Sequence, residues 1–212
     1  MCDKQAFLVF EDSRPFYICC NCGLIFTECS LSRAQKNEHY QSQHANPFDW
    51  LKEAEALLRL VSFAVVPRKI FDFGSGSGFL AAAFKSLGYE VTTYEPLLHG
   101  EFKRNNYNCS NDLVILNQVI EHVEDIDSLV DNVYSVTEPG GIIFVATLMT
   151  DAITDELSRF QEQFKKWWYK DDQTHISFFS QCTFEYICAN KDSNQLKLVY
   201  FHPNYVLLQR MY

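Results

Sequence analysis

Short apolar runs alternate with amphipathic segments through the middle of the chain. The apolar runs end at glycine, proline or charged residues, as buried strands do, and the segments between them carry apolar residues at helical spacing. The predicted strands are Lys69–Phe73, Glu90–Tyr94, Asp112–Leu116 and Ile142–Leu148, and the predicted helices are Phe79–Leu87 and Ile126–Val136. Strands that alternate with helices in this way predict a doubly wound α/β sheet.

The segments on either side of this core have a different pattern. Apolar and aromatic runs within Phe7–Phe26 are broken by turn residues and predict small hairpins, and Ser32–Val66 is predicted to be helical. We therefore expect two units, a β appendage and lid over residues 1–45 and a main domain over 46–212 whose core is 67–148.

Residues 149–212 are expected to complete the sheet and to cover one side of it. A turn is predicted at Glu138–Gly141, helices at Asp151–Lys166 and Gln181–Ala189, and strands at Leu196–Phe201 and Tyr205–Gln209. The last two strands are close enough in sequence to form an antiparallel hairpin on the edge of the sheet.

The composition of the chain indicates which classes of molecule it binds and in which cellular compartment it is expected. The chain has 212 residues with 27 Asp and Glu against 18 Lys and Arg, a net charge of -9, which disfavours nonspecific binding to nucleic acid and favours a small-molecule partner. The sequence shows neither a secretion signal nor a membrane-spanning apolar run, so we expect a cytoplasmic protein with reduced thiols and no membrane contact. The oligomeric state has no signature in the sequence.

The strongest chemical motif is a glycine-rich turn between a strand and a helix. Asp72-Phe73-Gly74-Ser75-Gly76-Ser77-Gly78 allows a ligand to approach the backbone, and the following helix offers unpaired N–H groups. Glu95 ends the next strand 21 residues after Gly74, where a carboxylate can accept both hydroxyls of a ribose. Phe79 takes the third glycine position of a dinucleotide fingerprint, and Asp72 adds a negative charge unsuited to a pyrophosphate, so a nicotinamide oxidoreductase is disfavoured.

With these motifs the sequence resembles the class I S-adenosylmethionine-dependent methyltransferases. The matching stretches are IFDFGSGSG, TTYEP, NDLVILNQVIEHV and EPGGIIFVATL. The resemblance implies a Rossmann-like fold in which the glycines line the methionine part of the cofactor, Glu95 holds its ribose, and the residues after the strand Asp112–Leu116 lie beside the sulfonium. The implied cofactor-binding residues are Asp72, Gly74, Ser75, Gly76, Gly78, Phe79, Glu95, Pro96, Asn117, Gln118, Val119 and Tyr40.

One interval departs from this family pattern. Only 17 residues separate Glu95 from Asp112, too few for a full helix and a third strand. The flanking motifs CCNCGLIF, EHYQSQH and WWYKDDQTHISFFS extend the resemblance to a bacterial subgroup with an N-terminal cysteine knuckle and an aromatic tail of this pattern. The resemblance gives the subgroup no defined substrate.

A cysteine cluster near the N-terminus predicts a metal site. Cys19-x-x-Cys22 followed by Gly23 has the spacing of a zinc knuckle, and Cys2 lies upstream. We expect Cys2, Cys19 and Cys22 to bind zinc in a zinc-ribbon-like appendage, with a fourth ligand from Cys20, Cys29 or His39. The alternative is a ribbon held by its apolar strands without metal.

Two histidines are candidate catalytic residues. His122 follows the predicted strand Asp112–Leu116, and His175 lies three residues after Asp172, whose carboxylate could orient an imidazole that acts as a general base. Each histidine could instead have a structural role. His39, Tyr40 and His44 are expected to form part of a lid over the cofactor pocket.

These features together predict a methyltransferase that uses S-adenosylmethionine and acts on a small molecule. The alternative from another class is a noncatalytic binding or scaffold protein that keeps the fold and docks a macromolecule through the cysteine knuckle. The intact glycine loop favours the enzyme, because a scaffold has no need of a cofactor site.

Overall fold

A six-stranded mixed sheet forms the centre of the molecule. The computed structural model describes residues 2, 4–28, 47–153, 157–190 and 195–212. After the N-terminal strands β1 (Ala6–Glu11), β2 (Pro15–Cys19) and β3 (Ile25–Phe26), the chain forms β4 (Lys69–Phe73), β5 (Glu90–Tyr94), β6 (Asn111–Asn117), β7 (Thr137–Ala146), β8 (Ser177–Phe178), β9 (Leu196–His202) and β10 (Tyr205–Arg210). The central sheet has the order β5-β4-β6-β7-β10-β9.

Parallel and antiparallel strands occupy separate halves of this sheet. Strands β5, β4, β6 and β7 are parallel, and β10 and β9 add to β7 as an antiparallel hairpin. The predicted parallel core and closing hairpin are therefore confirmed. Because the carboxyl ends of the parallel strands meet at one edge, residues that follow β4, β5 and β6 lie close together there.

Helices cover both faces of the sheet. They are α1 (Pro47–Val61), α2 (Phe79–Ser86), α3 (Pro96–His99), α4 (Ile126–Val136), α5 (Leu157–Lys166) and α6 (Gln181–Asn190). Ala54 and Leu57 of α1 pack with Phe84 of α2 on one face, and Leu129 of α4 packs with Phe184 of α6 on the other. The doubly wound α/β fold is confirmed. In the part of the chain described, no helix is both long and apolar enough to cross a membrane.

The segment between β5 and β6 is short, as its length predicts. Residues 95–110 are all described and contain only the single-turn helix α3 and a 3-10 turn at Arg104–Asn106, without a strand. Tyr94, Phe102 and Tyr107 pack together here, with ring centroids 5.0 to 6.1 Å apart. An aromatic cluster therefore closes the edge of the sheet beside β5.

The predicted turn at Glu138–Gly141 is wrong. These residues belong to β7, whose pairing with β6 passes from Asn111–Thr137 to Leu113–Ile142 across an irregularity. Gly140 adopts φ +83° within it. The strand absorbs the extra residues as a bulge, which is possible because glycine tolerates this left-handed conformation.

Two further predicted elements differ from the structure. The helix predicted over Asp151–Lys166 is a 3-10 turn at Thr150–Ala152 and the helix α5, separated by residues 154–156, which lie outside the described part. The predicted helix Ser32–Val66 is described only from Pro47 and ends at Val61, before the proline at position 67.

The N-terminal strands form a second sheet that includes a strand from the far end of the chain. Its order is β1-β2-β3-β8, and Ile25 of β3 pairs with Phe178 of β8. Phe16, Phe164 and Phe178 form its buried aromatic core. The domain boundary predicted near residue 45 falls in the segment 29–46, outside the described residues, and stays a prediction.

Candidate active site

The glycine-rich turn is fixed by backbone hydrogen bonds at the carboxyl end of β4. The N–H groups of Gly74 and Ser75 donate to the Tyr94 carbonyl at 2.7 and 3.0 Å, and the Gly78 N–H donates to the Ser75 carbonyl at 2.8 Å. Gly74, Gly76 and Gly78 all adopt positive φ angles, of +78°, +51° and +77°. Residues with a Cβ are strained in this conformation, so the glycines are required for the turn itself.

Gly74 is also required because its backbone lies close to the side chain of Val119. A Cβ at this position would lie 2.6 Å from Cγ2 of Val119, closer than two carbon atoms can come. A Cβ at Gly76 or Gly78 would meet no described atom within 4 Å. One end of the loop therefore packs against the residues that follow β6, and the other end borders open space, as a ligand cradle requires.

Glu95 connects the second strand to this loop. One carboxylate oxygen, Oε2, accepts from the Gly76 N–H at 2.8 Å, and the other, Oε1, accepts from the Leu97 N–H at 3.1 Å. Glu95 thus caps α3 and orders the loop at the same time. Each carboxylate oxygen has a second lone pair, which leaves acceptor capacity for a hydroxyl of a ligand.

Asp72 is a buried carboxyl group directly below the loop. Its side chain is 2% exposed, and Oδ2 has no hydrogen-bond partner among the described residues. Burial, and then the negative charge of Glu95, raise the pKa of Asp72 to about 7. An acceptor atom buried without a donor is costly, so this position fits a ligand that brings an N–H group or a positive charge.

The residues after β6 join the loop to a second polar cluster. Gln118 has φ +54°, which is unusual for a residue other than glycine, and its N–H donates to the Ala146 carbonyl at 2.9 Å. Oε1 of Gln118 lies 3.2 Å from the Tyr169 hydroxyl oxygen. Backbone strain of this kind concentrates at functional sites, because the surrounding structure must hold it in place.

Tyr169 and Glu121 form the buried centre of the second cluster. The Tyr169 hydroxyl donates to Oε1 of Glu121 at 2.6 Å and lies 3.0 Å from the Thr147 hydroxyl. Glu121 is fully buried, its Oε2 has no hydrogen-bond partner among the described residues, and burial raises its pKa to about 7. Burial and the nearby Glu121 raise the pKa of Tyr169, which therefore keeps its proton.

The two histidines predicted to be catalytic lie beside this carboxyl group. A carboxylate oxygen of Glu121 and one ring nitrogen from each of His122 and His175 all lie within 4.8 Å of one another. Both rings have Nδ1 against a carbonyl oxygen: His122 at 3.1 Å from Thr174, and His175 at 2.7 Å from Tyr169. Since a carbonyl only accepts, each Nδ1 carries a proton, and in the neutral form of either ring the lone pair is then on Nε2.

Asp172 reaches His175 as expected, but not as a hydrogen-bond acceptor. Its Oδ2 lies 3.9 Å from Nε2 of His175, and its Oδ1 accepts from the N–H and hydroxyl of Thr174 at 2.8 and 2.6 Å. Asp172 therefore shapes the loop that holds His175, and the Tyr169 carbonyl orients the ring. The roles of His122 and His175 in catalysis remain predictions.

Sequence reasoning missed two residues at the centre of the site. It gave no role to Glu121 or to Thr147, although a glutamate inside the apolar stretch Val119–Val123 is a recognisable signal for a buried carboxyl group. Tyr40 and the rest of the expected lid lie outside the described residues. The structure brings together the predicted metal ligands Cys2, Cys19 and Cys22, and their sulfur atoms lie within 4.8 Å of one another. These cysteines are about 100 residues before Glu121 in the sequence.

A glycine loop after the first strand of a doubly wound sheet, a carboxylate after the second strand and a closing antiparallel hairpin define the fold of S-adenosylmethionine-dependent methyltransferases. The chain belongs to the methyltransferase domain family, whose model matches residues 39–193. The fold is similar to the plantazolicin methyltransferase BpumL solved with SAH, at a TM-score of 0.57 and 15% identity, covering 85% of this chain and 90% of that one. It is also similar to DesVI of Streptomyces venezuelae, at a TM-score of 0.55 and 12% identity, covering 86% and 100%.

Curated relatives match a shorter stretch. The ubiquinone biosynthesis O-methyltransferase of Rhodopseudomonas palustris is 31% identical over an alignment of 100 residues, and the match covers 38% of this chain and 39% of that protein. The protein of the same name from Bradyrhizobium is 29% identical over 100 residues, or 38% and 40%. The chain thus spans about two fifths of the length of these relatives.

Proposed function

We propose that the protein transfers a methyl group from S-adenosylmethionine to a nucleophilic atom of a small molecule. The observation that carries this proposal is the continuity of the two clusters: the glycine loop contacts Val119 at one end, and Gln118 and Glu121 in the same segment reach Tyr169 at the other. A cofactor held by the loop and an acceptor held by the histidines would meet at the carboxyl end of β6.

The residues present fit the cofactor. Gly76 and Gly78 border the open space for its amino-acid part, Asp72 offers a buried acceptor for a cationic group, and Glu95 retains acceptor capacity for ribose hydroxyls. The bound cofactor supplies a methyl group already activated on a sulfonium. The remaining cofactor-binding residues in this proposal are Gly74, Ser75, Phe79, Pro96, Asn117, Gln118, Val119 and Tyr40.

The acceptor is activated by the histidines. In this proposal Nε2 of His175 or His122 takes the proton of an acceptor hydroxyl or amine, while the Tyr169 and Thr174 carbonyls keep each ring in the required tautomer. Glu121, with a pKa near neutrality, stabilises the imidazolium that forms. The O-methyltransferase name of the curated relatives supports a hydroxyl acceptor, and the net charge of -9 supports a small molecule over a nucleic acid.

Two finer assignments belong to the same proposal. The cysteine knuckle and aromatic tail support membership of the bacterial subgroup named above, and in this proposal residues 1–45 contribute a lid to the pocket. A noncatalytic scaffold is the weaker alternative, because it accounts for the cysteine knuckle but not for the glycine loop and the two neighbouring histidines kept together at one sheet edge.

Glu95→Ala is expected to weaken S-adenosylmethionine binding by about tenfold or more. Each hydrogen bond to a carboxylate contributes about 1.5 to 3 kcal/mol, and the variant loses the ribose contacts together with the bond to the Gly76 N–H. Calorimetric titration of both proteins measures the change. Glu90→Ala is the matched control, since it removes the same charge from the exposed start of the same strand. Equal affinities in wild type and Glu95→Ala would exclude the ribose role, and no binding by the wild type would favour the scaffold.

Cofactor affinity is expected to rise about tenfold between about pH 6 and about pH 8. The pKa of Asp72 is about 7 in the folded chain, above the usual 3.8, so folding favours its protonated form and the stability it contributes is lost as the pH rises through 7. A cationic ligand favours the ionised form, and its affinity therefore increases over the same range. Asp72→Asn should remove this pH dependence. A slope that persists in the variant would assign the titration to another group.

A further inference from the structure

The cysteine cluster lies outside the segment that matches the methyltransferase domain, and the proposed methyl transfer does not use it. Cys19 and Cys22 lie before residue 39, where the match to the methyltransferase domain begins. Cys2 is half-buried, Cys19 and Cys22 are 4% and 1% exposed, and all three are free thiols. Three thiols therefore lie together beside the short N-terminal sheet, and a shared ligand would explain why they are brought together.

The backbone around the cluster is that of a knuckle. The Cys19 N–H donates to the Leu24 carbonyl at 2.9 Å, the Gly23 N–H donates to the Cys19 carbonyl at 3.1 Å, and Gly23 has φ +70°. This tight turn brings the sulfur atoms of Cys19 and Cys22 to the same side. The two-residue spacing followed by glycine is the one used by thiolate ligands of zinc.

The third thiol is supplied by the chain that leads into β1. The Cys20 N–H donates to the Gln5 carbonyl at 3.2 Å, which anchors this chain beside the knuckle, and Nδ2 of Asn21 donates to Sγ of Cys2 at 3.4 Å. All three sulfur atoms then lie within 4.8 Å of one another. Ligands at Zn–S distances of about 2.3 Å stand somewhat closer than this, so only small side-chain rotations separate the cluster from a tetrahedral site.

The charges of the residues around the three cysteines favour the binding of a cation there. The three cysteines line a cavity of about 650 Å³ whose other lining residues include Glu28, Glu124 and Asp125, and the described residues that line it include no Lys or Arg. Thiolates and carboxylates placed together repel one another unless a positive charge lies between them. Sulfur ligands select a soft or borderline metal such as zinc over magnesium or calcium.

We propose that Cys2, Cys19 and Cys22 bind one zinc ion, with the fourth position completed from the cavity by water or a carboxylate. Cys20 is exposed and outside the cluster, which removes it from the predicted candidates for the fourth ligand, while Cys29 and His39 lie outside the described residues. The ion would tie the chain before β1 to the turn after β2. The proposal does not depend on methyl transfer.

Metal analysis and cobalt substitution test this site. Protein purified without chelator should contain about one equivalent of zinc, and Co²⁺ added to the metal-free protein should give the intense visible absorption of tetrahedral thiolate coordination. Cys2→Ser should weaken Co²⁺ binding by about tenfold or more, because one of three thiolates is lost. Cys20→Ser removes a thiol from the same turn but not from the cluster and should bind as the wild type does.

The outcomes distinguish a zinc site from a disulfide and from three thiols that bind no metal. Cys2 is half-buried and lies outside the described helices and strands, so its replacement should leave the fold intact, and a melting curve and a cofactor titration verify this. Equal Co²⁺ binding by the wild type and Cys2→Ser would overturn the proposal. It would equally be overturned by metal-free protein in which mass spectrometry finds a Cys19–Cys22 disulfide, or by metal-free protein whose three thiols are all reduced.

Discussion

Replacing His175 with asparagine is expected to lower turnover by about 10²-fold or more while leaving cofactor affinity unchanged. In the structure, Nδ1 of His175 donates to the Tyr169 carbonyl at 2.7 Å, and the side-chain amide of asparagine can reproduce this bond. What asparagine lacks is the basic Nε2, whose removal costs the usual contribution of a general base. Radiolabelled S-adenosylmethionine and a panel of small hydroxylated and amine acceptors provide the assay, with His175→Ala compared in parallel.

Comparing His175→Asn with His175→Ala distinguishes a catalytic role of His175 from a structural one. If His175 acts only structurally, His175→Ala should melt at a lower temperature because a buried ring and its hydrogen bond are lost, and His175→Asn should keep nearly full activity. A catalytic role predicts that both variants are inactive and that the asparagine variant melts close to the wild type. An active His175→Asn would move the base to His122, whose ring centroid is 4.8 Å away.

Gly74→Ala is expected to lower cofactor affinity by at least about tenfold and the free energy of unfolding by about 2 to 5 kcal/mol. The added Cβ meets two obstacles: φ +78°, which costs about 1 to 2 kcal/mol for a residue with a side chain, and Cγ2 of Val119 at 2.6 Å, an overlap that costs about 1 to 3 kcal/mol. The loop and the residues after β6 must move apart, and both border the proposed cofactor pocket. Urea unfolding and calorimetric titration measure the two effects.

Gly88→Ala isolates the backbone strain. Gly88 has φ +92°, a Cβ there would meet no described atom within 4 Å, and it follows α2 at the end remote from the loop. This variant should lose stability without losing cofactor affinity. Adding Val119→Ala to Gly74→Ala removes the overlapping atom and should restore part of the stability. Equal losses of affinity at positions 74 and 88 would show that the contact with Val119 has no part in binding.

The sequence predicted the central sheet well because its strands have unambiguous local signals. The runs around Phe71, Val114 and Ile143 are apolar on both faces, which only a strand covered by helices on both sides can bury. The bulge at Gly140 was predicted as a turn, because proline and two glycines in succession have the composition of a turn and only the pairing with β6 shows that the strand continues through them.

In the candidate site, too, the residues with a local sequence signal were predicted and the contacts between distant segments were not. Its loop residues Gly74 and Glu95 were found because their spacing is local and chemically specific. The contact between Glu121 and Tyr169 was not found, since these residues are 48 positions apart. The apolar stretch around Glu121 indicates that this carboxyl group is buried, but the pairing between distant segments that gives it a partner has no signature in a single sequence.

The pairing of β3 with β8 can form only late during synthesis on the ribosome. Ile25 and Phe178 are about 150 residues apart along the chain, and translation adds about 5 to 20 residues per second. The N-terminal hairpin therefore leaves the exit tunnel with one edge unpaired and keeps it so for roughly ten seconds or more. During that interval Phe16 and Ile25 lack the aromatic partners Phe164 and Phe178, so the nascent chain exposes an unpaired strand edge to chaperones or to neighbouring nascent copies until Phe178 has been made.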